Sequence, residues 1–318
     1  MQAEEVIVEP VAPFNFDGTV YVPHYFPTPD CSWQPGTVWR TLNISGRRLG
    51  LKMEDAGQVS RPRVRIKIFS SGRMSEELVE KIRLELDWRY GFGEDLSIFY
   101  REFRSDRFLA PVFKRWMGMR ANCENSLYEL MMVSIVLQNA TVRRTVQMMN
   151  NLFGAYGSRL KFEGKELSVY WTPEDLAGAS EEELRTLKVG YRAKMLKQIS
   201  EAFARKEIDE SKLRNMSAED AKRELLKLPG VGPATAQILL NGYLRKYDTF
   251  DLKGRPWEQK IISHVMFNQK PVTTEKIVNE FNERYREWRG LAFHYIFTDL
   301  FWKHKQKKIP WLEKEIRM

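Results

Sequence analysis

Cysteine is scarce in this chain of 318 residues: there are two, Cys31 and Cys123, far apart in the sequence. So few thiols support neither a disulfide framework nor a thiolate metal site, and a reducing interior is the setting they suit. Long apolar runs are lacking too, none reaching the roughly 18 residues that a membrane span needs. The opening MQAEEVIVEP is acidic and has neither the basic start nor the apolar stretch of a secretion signal, so an intracellular protein is expected. Internal repeats and low-complexity segments are missing, and 43% hydrophobic residues is the content of a folded globular chain.

Acidic residues fall short of basic ones, 42 against 51, which leaves a formal charge of +9. That excess favours a polyanionic partner through field steering and counterion release. The length is enough for two or three domains with real cores.

Residues 1 to about 70 read as β-structure. In Arg63-Val64-Arg65-Ile66-Lys67-Ile68 the apolar residues alternate with cations, as a half-buried strand requires. Trp39 to Ile44 and Arg48 to Met53 flank Ser45-Gly46, a hairpin turn, while Phe14 to Phe26 form a loop-rich apolar layer. Ser75 is placed to cap a helix over Glu76 to Tyr90, with Leu78, Ile82 and Leu86 on one face. Period-2 patterning almost disappears after about residue 95, and helices are expected from there on. They include a helix or helix pair over Asn125 to Met149, broken at Gln138-Asn139-Ala140-Thr141, and starts at Thr172-Pro173 and at Ser180 with Glu183. The fold class expected is α+β, with an antiparallel sheet and helix in residues 1–95 and a mainly helical domain, itself of two subdomains, in 96–318.

The most specific string is Leu228-Pro229-Gly230-Val231-Gly232-Pro233-Ala234-Thr235-Ala236, followed by Asp251 nineteen positions after Gly232. Pro229 and Gly230 stop the helix that begins near Ser217, Gly232 lets the chain turn, and Pro233 suits the first position of a second helix. A helix start with small residues (Gly230, Gly232, Ala234) leaves backbone N–H groups and the positive dipole end facing one way, a phosphate site. A ligand-free corner is the plainer reading of Pro-Gly-x-Gly alone.

The full string resembles the helix-hairpin-helix of base-excision DNA glycosylases. With the N-terminal β-domain, the helical body and Asp251, most of the chain is similar to the cluster-free type shared by the 3-methyladenine glycosylase II and 8-oxoguanine glycosylase families. Several relatives carry a four-cysteine iron–sulfur cluster after the aspartate, and this chain has no cysteine after Cys123. The resemblance therefore implies no cofactor and no cluster, with at most a monovalent cation at the hairpin carbonyls. Leu187-Lys188-Val189-Gly190-Tyr191-Arg192-Ala193-Lys194 is close to a Gly-Tyr-Arg-Ala segment of the 8-oxoguanine family. Ile135 to Thr141 matches the place of the residue that fills the gap left by an extruded base.

The roles this implies are Asp251 as the catalytic carboxylate, Gly230, Val231, Gly232 and Ala234 as the phosphate-binding hairpin, and Asn139 with Tyr191 as gap filler and wedge. Gln138, Arg144, Arg192 and Lys253 are expected at the DNA. Trp288, Phe293 and Trp302, with Tyr295 and Phe297, are candidates for a base pocket, although helical spacing makes each an ordinary core residue as well. The partner expected is double-stranded DNA with a modified base, bound by a monomer without a membrane. Rival readings stay open: Asp248 lies near Asp251, Asp251 or Asn139 could be helix caps, Tyr191 could be packed, and the hairpin could belong to a non-catalytic DNA clamp. Relatives that also cleave the strand have a lysine two residues after the second hairpin glycine, where this chain has Ala234. A chain that hydrolyses the glycosidic bond without Schiff-base chemistry from that position is expected, the alternative being a glycosylase that also cleaves the strand with Lys253 as a displaced nucleophile.

Overall fold

A computed structural model describes residues 1–316 apart from 45, 122, 124, 269 and 270. The chain divides into two compact units, Met1–Leu96 with Met117–Glu207, and Ser97–Trp116 with Ile208–Met318.

The first unit is built on an antiparallel sheet of β1 (Gln2–Val8), β2 (Cys31–Gln34), β3 (Thr37–Ile44), β4 (Arg47–Asp55) and β5 (Val64–Ser70), in the order β1-β5-β4-β3-β2. The alternation in β5 does what its chemistry requires: Val64, Ile66 and Ile68 are buried while Arg65 is exposed. β3 and β4 pair up to Ile44 and Arg47. Of the two residues expected to turn between them, Ser45 lies outside the described residues and Gly46 has φ +73°. A helix over Glu76–Tyr90 closes one face, its start capped by the Ser75 hydroxyl on the Leu78 amide at 3.2 Å. Ile82, Leu86 and Tyr90 join Leu49, Leu51, Met53 and the β5 residues in one core, together with Phe14, Phe16 and Val20. Phe16–Val20 is a short helix, so the apolar N-terminal layer is less loop-like than its prolines suggest.

The other face of the sheet is covered by a hairpin that patterning did not reveal, β6 (Ser158–Phe162) and β7 (Lys165–Val169). Phe162 and Leu167 pack there on Trp39 and Phe69. Gly50 makes room for them, since a Cβ on it would stand 2.6 Å from the Phe162 ring. Both turn residues, Glu163 and Gly164, have positive φ, the conformation of a tight two-residue hairpin. The unit also contains helices Leu127–Leu137, Val142–Tyr156, Pro173–Ala177, Glu181–Thr186 and Arg192–Ala204, which pack on one another. Thr172 and Ser180 cap their helices through reciprocal capping boxes with Asp175 and Glu183.

In the second unit, helix Arg289–Gln306 is buried along nearly its whole length. Arg115 grips its Asp299 with two bonds of 2.7 Å, and the Trp116 indole adds a third at 3.0 Å. The hydroxyls of Tyr100 and Tyr295 meet at 2.6 Å. Among the described residues no helix is long and apolar enough to cross a membrane.

Arg120, at 0% exposure, is the main polar tie of the first unit. Its guanidinium donates to the carbonyls of Val11, Gly91, Glu94 and Gly118 at 2.9–3.2 Å. Because Arg120→Leu removes a fully buried guanidinium that serves four carbonyls, two of them in buried bonds, it is expected to lower stability to urea by about 3–5 kcal/mol. A loss below about 1 kcal/mol, the scale of one ordinary hydrogen bond, would contradict this account of the tie.

Candidate functional site

The second unit contains the hairpin. Its first helix, Ala218–Leu225, starts at Ser217, whose hydroxyl accepts the Asp220 amide at 3.1 Å, and it buries Ala221 and Leu225. The Asp220 carboxyl is held below its ordinary range by the Ser217 hydroxyl and then by Arg223. The chain closes through Leu228 N to Leu225 O and Val231 N to Leu228 O, each 3.1 Å, with Gly230 at φ +77°. Gly232 is extended, at φ −93° and ψ 179°, and stands at the cap of the second helix, Pro233–Ile238, without a side-chain cap bond. Pro233 is the first residue of that helix, where a missing N–H costs nothing. Val231 is buried between the two helices' ends, which fixes the turn from within.

Asp251 follows on a short segment whose burial alternates, with Phe250 and Leu252 buried and the Asp251 side chain 35% exposed. Phe250 lies against Phe281 at 4.3 Å and Phe293 at 5.1 Å between ring centroids. Anchoring both neighbours turns the carboxylate outward. One carboxylate oxygen accepts the Lys253 amide at 2.9 Å. The other stands 3.8 Å from the Lys222 ammonium, which comes from the first hairpin helix. Asp251 does not cap the helix Pro256–Phe267, because Arg255 holds that position and no side chain caps it. Asp248 is exposed. The space beside Gly254, just past Asp251, faces the Ala234 methyl: a Cβ on Gly254 would lie 3.6 Å from it.

The first unit carries the second cluster. Helix Leu127–Leu137 ends at Gln138, and Asn139 takes φ +48°, a left-handed conformation that asparagine tolerates. Thr141, not Asn139, caps the next helix by accepting the Arg144 amide at 3.2 Å. Asn139 is exposed, and its amide donates to the Tyr191 hydroxyl at 3.2 Å. Tyr191 is 50% exposed, so it is not a core aromatic. Arg192, 7% exposed, turns its guanidinium to the carbonyls of Gln138 and Val189 and lies over the Tyr191 ring at 4.7 Å. Arg144 reaches the Lys188 carbonyl at 2.6 Å. The turns at 138–141 and 188–191 are thereby tied together and present Asn139 and Tyr191 side by side.

The aromatic candidates are packed rings. Trp302 stacks on Trp116 at 4.7 Å, Phe293 on Phe297 at 5.1 Å, and Tyr295 is fully buried, while Trp288 is half-buried against Phe99. Phe293 touches the Asp251 segment, through Phe250 and through Arg255 5.3 Å over its ring. Among the described residues no group of three or more His, Cys, Asp or Glu is placed to hold a metal ion. Lys222 is the residue that sequence reasoning missed. It lies on a helix face 29 positions before Asp251, and no local pattern links the two.

The HhH-GPD superfamily base excision DNA repair protein profile matches residues 132–258. The chain is 25% identical over 229 residues to the DNA-3-methyladenine glycosylase of Bacillus subtilis, covering 71% of this chain and 73% of that one. Its fold matches the 3-methyladenine DNA-glycosylase from Archaeoglobus fulgidus with a TM-score of 0.73 and 20% identity, over 93% of this chain and 99% of that one. It also matches the Clostridium acetobutylicum 8-oxoguanine glycosylase/lyase in complex with dsDNA, with a TM-score of 0.70 and 19% identity, over 97% and 99%.

The two hairpin glycines are expected to differ in what a side chain costs. Gly230→Ala forces a Cβ into positive φ and should cost about 1–2 kcal/mol, seen as a lower thermal midpoint. Gly232→Ala, with nothing within 4 Å of the added Cβ, should cost less than half as much. Equal losses would contradict the turn geometry.

Proposed function

We propose, from the match of residues 132–258 to the HhH-GPD superfamily of base excision DNA repair proteins, that the chain is a DNA glycosylase whose Asp251 drives hydrolysis of the N-glycosidic bond of a modified base. The observation that carries this reading is the Asp251 carboxylate, turned outward by its two buried neighbours one short loop after the hairpin. Bases inside a duplex are out of reach of any side chain, so the nucleotide must leave the stack at a cost of a few kcal/mol. Asn139 fills the vacated space and Tyr191 wedges beside it, offsetting lost stacking and keeping the duplex bent. The hairpin of Gly230 to Ala234 holds a backbone phosphate, which sets register without reading sequence. As the base departs, positive charge develops on the sugar, and the carboxylate stabilises it and directs a water.

Lys222 enters this scheme as a counter-charge. Its ammonium beside Asp251 would oppose charge development on the sugar, and a DNA phosphate gives it another partner. Ala234 offers a methyl where an amine would have to stand, so the base is released to water and not to a lysine at this position. The scheme uses no cofactor, and a monovalent cation at the hairpin carbonyls would only add to phosphate anchoring. The protein acts as a monomer on duplex DNA. Alkylated purines head the substrates because of the relative named for 3-methyladenine, ahead of 8-oxoguanine, deaminated bases and modified cytosines.

Duplexes with one modified base each, assayed for base release, test the reading. Asp251→Asn is expected to slow single-turnover release by about 10²–10³-fold with binding to abasic duplex retained. If wild type releases no base while abasic binding survives in both forms, the protein is a non-catalytic clamp and the proposal fails. Lys222→Ala is expected to reduce the slope of log affinity against log salt by about one, with release at saturating protein changed by less than about 3-fold. An unchanged slope would remove the phosphate role.

A further inference from the structure

Gln237 is 1% exposed on the second hairpin helix, beside buried Ala236 and just before buried Leu239 and Leu240. A buried amide is costly unless its oxygen and nitrogen are both satisfied. Both of its atoms turn to one residue, Thr249: Nε2 donates to the Thr249 carbonyl at 3.4 Å, and Oε1 accepts the Thr249 hydroxyl at 3.3 Å. Thr249 stands two positions before Asp251. Asn241, oriented to satisfy its own amide, donates to the same carbonyl at 3.2 Å and to the Lys246 carbonyl at 2.9 Å, and accepts from Gln237 at 3.1 Å. It lies in the π turn Leu239–Tyr243, a helix defect that recurs at functional sites. Gly290 donates to the Tyr247 carbonyl at 2.8 Å. Gly290 has no room for a side chain, since a Cβ would stand 2.9 Å from the Thr249 oxygen and 2.9 Å from the Asn241 amide.

We propose that Gln237 and Asn241 are positioning residues for catalysis: they hold Thr249 against the second hairpin helix and so fix the catalytic carboxylate relative to the hairpin that anchors the phosphate. Apolar packing would fill the site without the cost of burying amides, but would leave the segment free to slide along its axis. Two directional bonds to one residue stop that sliding. A displacement of about 1 Å at a reacting group costs up to about 10²-fold in rate even when binding is intact. This inference rests on Asp251 being the catalytic carboxylate.

The test pairs Gln237→Leu with Thr249→Val, which removes the side-chain pair together while the Thr249 carbonyl keeps the Asn241 amide. Three quantities are measured: single-turnover base release, affinity for a duplex with an abasic-site analogue, and the thermal midpoint. Release should fall about 10–100-fold, with affinity within about 3-fold and the midpoint within about 4 °C of wild type. Thr249→Ser, which keeps the hydroxyl, should restore release to within about 3-fold, on the scale of one neutral hydrogen bond left intact. Added to Asp251→Asn, the double substitution should change the residual rate by less than about 2-fold, because the group it positions is gone. The proposal is overturned if release is unchanged, if affinity falls as far as the rate, or if the loss is the same in the Asp251→Asn background. Should Asp251→Asn itself release base at the wild-type rate, it is the assignment of Asp251 that fails.

Discussion

A carboxylate can stabilise positive charge on a sugar only if it is both accessible and unable to move away, and burial of the residues on either side of Asp251 meets both demands. Phe250 and Leu252 are fixed in the core of the second unit, and what remains between them faces outward. Phe250 in turn depends on Phe281 and Phe293, the latter on the helix Arg289–Gln306 that Arg115 and Trp116 hold through Asp299. Packing far from the carboxylate thus sets its direction.

The cluster at Asn139 and Tyr191 is built on a different principle. Exposed side chains have no core to orient them, so they are oriented from below. Arg192 is buried and spends its guanidinium on the Gln138 and Val189 carbonyls, and Arg144 does the same at Lys188. A cation that looks from the sequence like a contact for DNA also braces two turns. Positive φ at Asn139, Lys188 and Gly190 gives both turns their sharpness.

Features written in short, local patterns were legible in the sequence. The hairpin is punctuated by Pro229, Gly230, Gly232 and Pro233, and the caps at Ser75, Thr172 and Ser180 lie one residue before the helices they start. The β6–β7 hairpin escaped notice because each strand is five residues long and the first follows directly on the helix Val142–Tyr156. Even so, Glu163-Gly164 between Leu160, Phe162 and Leu167 was a usable turn signal. Lys222 and Gln237 were not legible for a different reason. Each gains its meaning from a partner on another segment, Asp251 or Thr249, and on its own helix Lys222 reads as a solvated cation and Gln237 as a polar interruption.

The central claim is that Asp251 faces developing positive charge, and an abasic-site analogue with a cationic nitrogen at the C1′ position reads this directly. Wild type should bind a duplex with this analogue at least about 10-fold more tightly than one with a neutral analogue, a preference typical of a site matched to its transition state, and Asp251→Asn should abolish the preference. Equal affinity for the two analogues in wild type, or a preference that persists in Asp251→Asn, would contradict the account.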